Sequence, residues 1–114
     1  MGKFLKVEQS QGVTVARVIL EKIDSETMEP FSKEMHALPE KNMILLLDLA
    51  RVQYFFSEFL ELLLRLHKKL KKTKGKLALC SPQATVREIL LTTRFDKIMP
   101  IFSDESEALQ ALTV

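Results

Sequence analysis

The segment MILLLDLA, from Met43 to Ala50, places the strongest limit on how this chain can fold. It is a short apolar run without alternation, and it is interrupted only by Asp48 near its end. A strand of this kind carries apolar side chains on both sides of its backbone and needs cover on both faces. We therefore expect a central strand of a parallel sheet with helices packed on each side.

The sequence on either side of this run alternates between strand-like and helix-like patterns. Two strands are predicted at residues 3–9 and 13–20, joined by a turn at Gln11-Gly12, and further strands at 76–80 and 97–102. Apolar residues at helical spacing predict helices starting between Ser25 and Thr27 and ending by Pro39, and at 57–72, 81–93 and 103–114. The segment VQYFF, residues 52–56, is expected to extend or bend the central strand. The order β-β-α-β-α-β-α-β-α predicts an α/β sandwich with a mostly parallel sheet of about five strands and four helices.

The local signals of the helices give more detailed expectations. In the second helix one face holds Phe59, Leu62, Leu63, Leu66 and Leu70, and Leu60 and Leu64 make the apolar surface wider than simple packing needs. Ser57 is interpreted as its N-cap, worth about 1 kcal/mol, and Gly75 as the left-handed residue after its end. For the third helix we expect Ser81 as N-cap, Pro82 in the first helical position, and Val86, Ile89 and Leu90 facing inward. Ser103 or Asp104 is expected to cap the last helix.

Length and composition favour one small domain, assigned to residues 1–114. The single cysteine excludes an internal disulfide and suits a reducing compartment. No apolar run reaches the roughly 20 residues that span a bilayer, and the first ten residues lack the features of a secretory signal. The expected location is the cytoplasm.

The residues that most enzymes and cofactor sites need are missing or scattered. The three glycines lie far apart, so neither a phosphate-binding loop nor a dinucleotide fingerprint can form. His36 and His67 fall on different helices without Cys or carboxylate partners at metal-ligand spacing. Cys80 ends a strand but has no glycine elbow, and we interpret it as a small apolar residue. We expect no catalytic site, no cofactor and no metal.

The charge of the chain is unevenly distributed. Residues 65–76 contain seven Lys or Arg and no acid, and because the whole chain carries +2, the other residues carry −5 in sum. Such a segment can meet an anionic partner. Alternatively, it is a solvated helix end whose lysines favour the negative end of the helix dipole.

Taken together, four pieces of the sequence resemble the STAS domain family of bacterial anti-sigma factor antagonists. They are ILEKIDSETMEPF (Ile19–Phe31), LLLDLARVQYF (Leu45–Phe55), GKLALCSPQATVREILLTTRFDKIMPIF (Gly75–Phe102) and DESEALQAL (Asp104–Leu112). The resemblance implies a non-enzymatic domain that binds a serine-kinase-type anti-sigma factor or another STAS protein. In this family the kinase phosphorylates a Ser or Thr in a motif like Asp-Ser-Ser-Gly, and the added charge releases the docked partner.

At that motif the chain departs from the family pattern. The four motif positions fall on Phe56, Ser57, Glu58 and Phe59, so only the first serine is kept and Glu58 stands at the phosphoacceptor position. Glu58 carries a permanent charge, smaller than that of a phosphate, that a helix N-terminus stabilises by about 0.3–1 kcal/mol. Either it imitates the phosphorylated state, or it is an ordinary acid of the first turn; Ser57 could also be a displaced phosphoacceptor. We expect that the usual serine switch is lost.

A protein-binding surface is expected around the same loop. The residues assigned to it are Asp24, Tyr54, Phe55, Phe56, Phe59, Leu60 and Leu64. At least one of the three consecutive aromatics should face outward if the segment is extended, although all three could instead pack under the helices. Homodimer formation is possible, whereas nucleic-acid binding and membrane insertion are not expected.

Three hypotheses of function follow. The first is an anti-sigma factor antagonist or scaffold, and the second is a STAS subunit of a lipid or anion transporter, with the basic segment facing acidic protein or the membrane surface. The third is a small enzyme or nucleotide binder with its ligand at the strand ends, which the scarcity of glycine disfavours.

Overall fold

A computed structural model describes residues 3–113, and seven strands and four helices lie within them. The strands are β1 (Leu5–Ser10), β2 (Val13–Val18), β3 (Lys22–Ile23), β4 (Ile44–Asp48), β5 (Tyr54–Phe55), β6 (Lys76–Cys80) and β7 (Ile101–Phe102). The helices are α1 (Met28–His36), α2 (Glu58–Lys72), α3 (Ala84–Thr92) and α4 (Glu105–Leu112), with a 3-10 turn at Phe95–Lys97.

The main sheet has five strands in the order β1-β2-β4-β6-β7. β1 runs antiparallel to β2, and all other neighbours are parallel. Gln11 and Gly12 join the first two strands with φ of 54° and 83°, the positive values that suit the twist of a tight hairpin. The expected fold class and the Gln11-Gly12 turn are thus confirmed.

β4 is buried on both faces, as its apolar run predicts. Leu45 and Leu47 belong to the larger core, which α1, α2 and α3 cover, whereas Leu46 points into a smaller core with Ala108 of α4. Because successive side chains of a strand point to opposite faces, one continuous apolar segment supplies both cores.

The segment 52–56 does not extend β4, contrary to the expectation. Val52 donates its N–H to the Leu49 carbonyl at 3.0 Å, which turns the chain, and β5 then pairs in parallel with β3 in a separate two-stranded sheet. The partner strand lies some thirty residues earlier, so local sequence patterns carry no signal for this pairing.

The end of α2 also differs from the prediction. Lys74, not Gly75, adopts the left-handed conformation, with φ of 63°. The N–H groups of Gly75 and Lys74 bond to the carbonyls of Leu70 (2.8 Å) and Lys71 (3.2 Å), the paired pattern of a Schellman cap. Gly75 is needed for another reason: a Cβ atom there would lie 2.6 Å from the carbonyl oxygen of Met43.

The third helix begins later than predicted. Ser81 has φ of 59° and Gln83 is extended, so the helix starts at Ala84 instead of at Pro82. The Gln83 side chain donates to the carbonyl of Ala50 at 2.9 Å and makes no cap. Val86 and Leu90 are buried, but Ile89 is 42% exposed, so its predicted inward position is wrong.

The last strand and helix agree with the prediction in part. The strand covers only Ile101–Phe102, because Lys97 belongs to the 3-10 turn that precedes it. Asp104 caps α4, as expected, by accepting a bond from the Glu107 N–H at 2.8 Å.

Candidate functional site

The predicted interaction residues meet at one corner of the fold because β3 pairs with β5. The carbonyl of Glu21 accepts bonds from the N–H groups of Gln53 (2.7 Å) and Tyr54 (3.2 Å), and the carbonyl of Ile23 accepts one from Phe56 (2.9 Å). Asp24 directly follows β3, and Phe56 alone lies between β5 and the pair Ser57-Glu58. The pairing therefore brings the start of α1 beside the start of α2.

Asp24 organises the turn that leads into α1. Its Oδ1 accepts bonds from the N–H groups of Glu26 (3.1 Å) and Thr27 (3.2 Å), and Thr27 Oγ1 in turn accepts from the Asp24 N–H at 3.0 Å. The bond from the Thr27 backbone, with that from Glu26, lowers the pKa of the Asp24 carboxyl despite an opposing desolvation effect. Asp24 is thus a fixed negative charge at a helix start, and this structural role accounts for much of its bonding.

The three consecutive aromatics divide by alternation. Phe55 is 8% exposed and packs on Phe59 with ring centroids 5.1 Å apart, whereas Tyr54 is 50% exposed. Phe56 is partly exposed, and its ring meets that of Tyr54 edge-on. The expectation that at least one ring faces outward is confirmed, and Tyr54 is that ring.

Two residues of the predicted surface are in the core instead. Phe59 has no exposed area and lies between Phe55 and Phe31, with the Phe31 centroid at 6.1 Å. Because neither Phe55 nor Phe59 is accessible, neither can touch a partner on this folded chain. Their assignment to the surface is therefore wrong, and they support it from beneath.

Leu60 and Leu64 lie away from this corner. At 100° per residue, Leu60 is about 200° around the helix from Glu58. Both leucines are partly buried and pack against the larger core. They do not extend the surface on which Glu58 lies.

Ser57 precedes the first helical residue but is not the predicted hydrogen-bonding cap. Its φ and ψ of −57° and −25° are already helical, and its hydroxyl makes no cap bond. A capping side chain needs an extended backbone to reach the next N–H groups. Ser57 is exposed, and Glu58, the first residue of α2, is exposed beside it.

We call the wholly or partly exposed residues of this corner the corner surface: Asp24, Tyr54, Phe56, Ser57 and Glu58. A groove of about 390 Å³ between α1 and α2 adjoins it. The groove is lined by Ser25, Met28, Glu29, Ser32, Lys33, Phe56, Glu58 and Arg65. Apolar Met28 and Phe56 lie there among charges of both signs, a mixture that suits contact with a protein chain.

Sequence reasoning missed the α1 and Arg65 contributions to this groove. Glu29 and Ser32 lie near Met28 on one side of α1, Ser25 precedes Met28 by three residues, and Arg65 follows Glu58 by seven residues, or two helical turns. These spacings can be read from the sequence. The sequence does not show that the two faces adjoin, because this depends on how α1 packs against α2.

Cys80 ends β6, at a place where a nucleophile could lie in an α/β fold. Cys80 is fully buried, and desolvation raises the pKa of its thiol to about 12, so it is not an activated nucleophile. Within residues 3–113, no three His, Cys, Asp or Glu side chains are grouped to hold a metal ion. No helix in the same range is long and apolar enough to cross a membrane.

Comparisons with known proteins agree on one family. The STAS domain model matches residues 4–108. The chain is 30% identical over 90 residues to the putative anti-sigma factor antagonist BtrV of Bordetella bronchiseptica, covering 78% of each chain. It is 27% identical over 112 residues to an anti-sigma F factor antagonist of Paenibacillus polymyxa, covering 96% of this chain and 95% of the relative.

A solved structure gives the same answer in three dimensions. The STAS domain protein from Planctomyces limnophilus, described as an anti-sigma-factor antagonist, superposes with a TM-score of 0.87 at 30% identity, over 96% of this chain and 98% of its own. The resemblance inferred from the sequence is confirmed: the chain belongs to the STAS domain family and is of the anti-sigma factor antagonist type.

Proposed function

We propose that this protein is a non-enzymatic regulatory module that binds an anti-sigma factor of the serine-kinase type through the corner surface. The observation that carries the proposal is the exposed position of Glu58 at the first residue of α2, in a groove that Phe56 also lines. The exposed ring of Tyr54 packs against Phe56. The named relatives are anti-sigma factor antagonists, which favours this role over a transporter-associated one.

The corner surface has the composition of a protein contact. Tyr54 supplies an amphipathic ring at low entropic cost, and Phe56 supplies apolar area at the mouth of the groove. Asp24, Glu29 and Glu58 add negative charge, whereas Lys33 on α1 and Arg65 on α2 add positive charge. A partner with a complementary pattern would be held in one orientation.

The switch that relatives use is proposed to be lost here. Glu58 keeps a single negative charge at the position of the phosphoacceptor, so a kinase finds no hydroxyl there. Ser57 does carry an exposed hydroxyl one residue earlier. Its side chain points from a different side of the helix, about 100° away, so a kinase that fits the next position would not meet it in the same geometry.

In the test, the chain is incubated with a purified cognate anti-sigma factor of the kinase type, ATP and Mg²⁺. Mass spectrometry then measures the phosphate incorporated into the chain. We expect none on the unmodified chain and incorporation on Glu58→Ser, while both chains co-purify with the kinase. Phosphate on Ser57 of the unmodified chain contradicts the lost switch. Failure of every such partner to bind contradicts the function itself.

A further inference from the structure

Of the cations in residues 65–76, only Arg65 belongs to the groove beside the corner surface; the six lysines are unexplained by it. All seven of their Lys and Arg side chains are exposed: Arg65, Lys68, Lys69, Lys71, Lys72, Lys74 and Lys76. We call them the basic surface. Across the described part of the chain, none of them lies within 4.0 Å of a carboxylate; the ion pairs found there involve Arg17, Lys33 and Lys97.

The helix dipole accounts for fewer than half of these charges. Its effect is confined to the last turn of a helix, which holds Lys69, Lys71 and Lys72. Arg65 and Lys68 precede that turn, and Lys74 and Lys76 follow the helix. The helix dipole therefore does not explain why the segment 65–76 contains seven cations and no acid.

The basic surface faces outward as one patch. At 100° per residue, Arg65, Lys68, Lys71 and Lys72 fall within an arc of about 120° opposite the buried leucines of α2. Lys69 lies at the flank toward α1, where its Nζ is 3.4 Å from the His36 carbonyl oxygen. In the adjoining loop Glu40 and Lys41 offset each other.

The lysines of the patch lie toward the end of the molecule opposite the corner surface. Bonds from Asn42 N–H to the Thr73 carbonyl (3.0 Å) and from Lys76 N–H to the Met43 carbonyl (2.9 Å) place it where β4 and β6 begin. The corner surface lies beyond the other ends of these strands. Along α2, Lys68 is about 15 Å of helix beyond Glu58 and Lys72 about 21 Å, whereas Arg65 also lines the groove beside the corner surface.

We propose that the basic surface binds the headgroups of an anionic membrane surface. Six of its seven cations are lysines, which act as point charges, and residues 65–76 contain no Phe, Tyr or Trp on which bases could stack. Its leucines, Leu66 and Leu70, are buried, so it offers no apolar anchor for a protein interface. Adsorption to an anionic bilayer requires only clustered positive charge.

The two surfaces can therefore be occupied together, with Arg65 left to the groove and the six lysines facing the bilayer. A chain adsorbed through the C-terminal half of α2 leaves the corner surface turned away from the bilayer. The protein would thus hold its protein partner at an anionic membrane surface.

The experiment measures co-sedimentation of the full chain with vesicles of phosphatidylcholine alone or with about one third phosphatidylglycerol. We expect binding only to the anionic vesicles, falling steeply as the salt concentration rises from about 0.05 M to about 0.5 M. The triple variant Lys68→Gln/Lys71→Gln/Lys72→Gln should bind on the order of 100-fold more weakly, at about fivefold per charge removed.

The matched control removes the same number of charges elsewhere. Lys3→Gln/Lys6→Gln/Lys97→Gln changes three exposed lysines outside the basic surface and should bind within about threefold of the unmodified chain. Circular dichroism confirms that both variants fold. Equal losses in the two variants, or no binding of the unmodified chain to anionic vesicles, overturn the proposal.

Nucleic acid is tested in the same buffers with a duplex RNA oligonucleotide. Weaker binding to RNA than to anionic vesicles supports the proposal. Binding to RNA that is as tight, and is lost in the same triple variant, assigns the surface to nucleic acid and overturns it.

Discussion

The ring of Tyr54 meets the ring of Phe56 edge-on, with centroids 5.8 Å apart and an interplanar angle of 87°. Alternation along an extended segment places residues 54 and 56 on one side and Phe55 on the other. Tyr54 is therefore held in a defined orientation although half of its surface is exposed. A ring that is both exposed and restrained loses little entropy when a partner covers it.

Replacing Tyr54 by alanine should weaken binding of the anti-sigma factor about tenfold or more, with little loss of stability. Phe56→Ala should act in the same direction with a larger effect on stability, because Phe56 is partly buried. Calorimetric titration gives the affinity, and thermal denaturation gives the stability. Ile89→Ala, which truncates an exposed apolar residue on α3, is the control and should leave binding unchanged. A large fall in melting temperature for Tyr54→Ala with unchanged affinity would show that this ring serves the fold alone.

Removing the Ser57 hydroxyl should change the free energy of unfolding by no more than about 0.5 kcal/mol. The hydroxyl makes no cap bond, so Ser57→Ala deletes no interaction of the folded chain. Asp104→Ala is the matched comparison, because Asp104 does cap α4 through the Glu107 N–H at 2.8 Å, and it should cost about 1 kcal/mol. Urea denaturation measures the free energy of unfolding of both variants. A loss of about 1 kcal/mol for Ser57→Ala would show that Ser57 does cap α2, as the sequence suggested.

Two neighbouring substitutions at the end of α2 should differ in their effect on stability, and only the one at Gly75 should destabilise the fold. Gly75→Ala places a Cβ atom 2.6 Å from the Met43 oxygen and 3.1 Å from the Leu70 oxygen, so it should cost about 1–3 kcal/mol. Lys74→Gly replaces a residue with φ of 63° by one without a Cβ penalty, and should be neutral or stabilising by up to about 1 kcal/mol. Midpoints of urea denaturation check the signs. If Gly75→Ala were neutral and Lys74→Gly strongly destabilising, our account of this cap would be wrong.

Stability should decrease as the pH falls from about 7 toward 5. Desolvation lowers the pKa of His36, with Lys69 and Arg65 adding to it, and desolvation with Lys71 and Lys68 lowers the pKa of His67. The unfolded chain, with an ordinary histidine pKa of about 6.5, therefore takes up protons first as the pH falls. The contribution of the two histidines to stability is complete when the pH is above this unfolded-state pKa. It is lost progressively as the pH falls from about 6.5 to the lower pKa values of the folded chain.

Urea midpoints at several pH values measure this decrease, and His36→Gln/His67→Gln should flatten it. The pKa of the Asp24 carboxyl is also lowered in the folded chain. Its contribution to stability is therefore lost at more acidic pH, as the pH falls below the usual pKa of an aspartate. An identical slope in the double variant would show that other groups cause the dependence.

The sequence alone determined most of the main sheet and its helices. The apolar run of β4 predicts a strand covered on both faces, and Leu45 and Leu46 do point into different cores. The spacing of leucines in α2 predicts its buried face correctly, because helical periodicity is a property of neighbours along the chain. The STAS resemblance rests on the same ordered segments.

Only the tertiary structure decided the details of the candidate site. The pairing of β3 with β5 joins residues about thirty positions apart and brings the turn after β3 beside Phe56, through the bond from the Phe56 N–H to the Ile23 carbonyl. Which of the aromatics are exposed also follows from the packing, since Phe55 and Phe59 are buried and Tyr54 is not. The helical backbone at Ser57 and the close approach of Gly75 to Met43 likewise depend on how distant segments meet. Local propensity is read from adjacent residues, whereas contact and exposure depend on the packing of the whole chain, and therefore the elements were predictable and the surface was not.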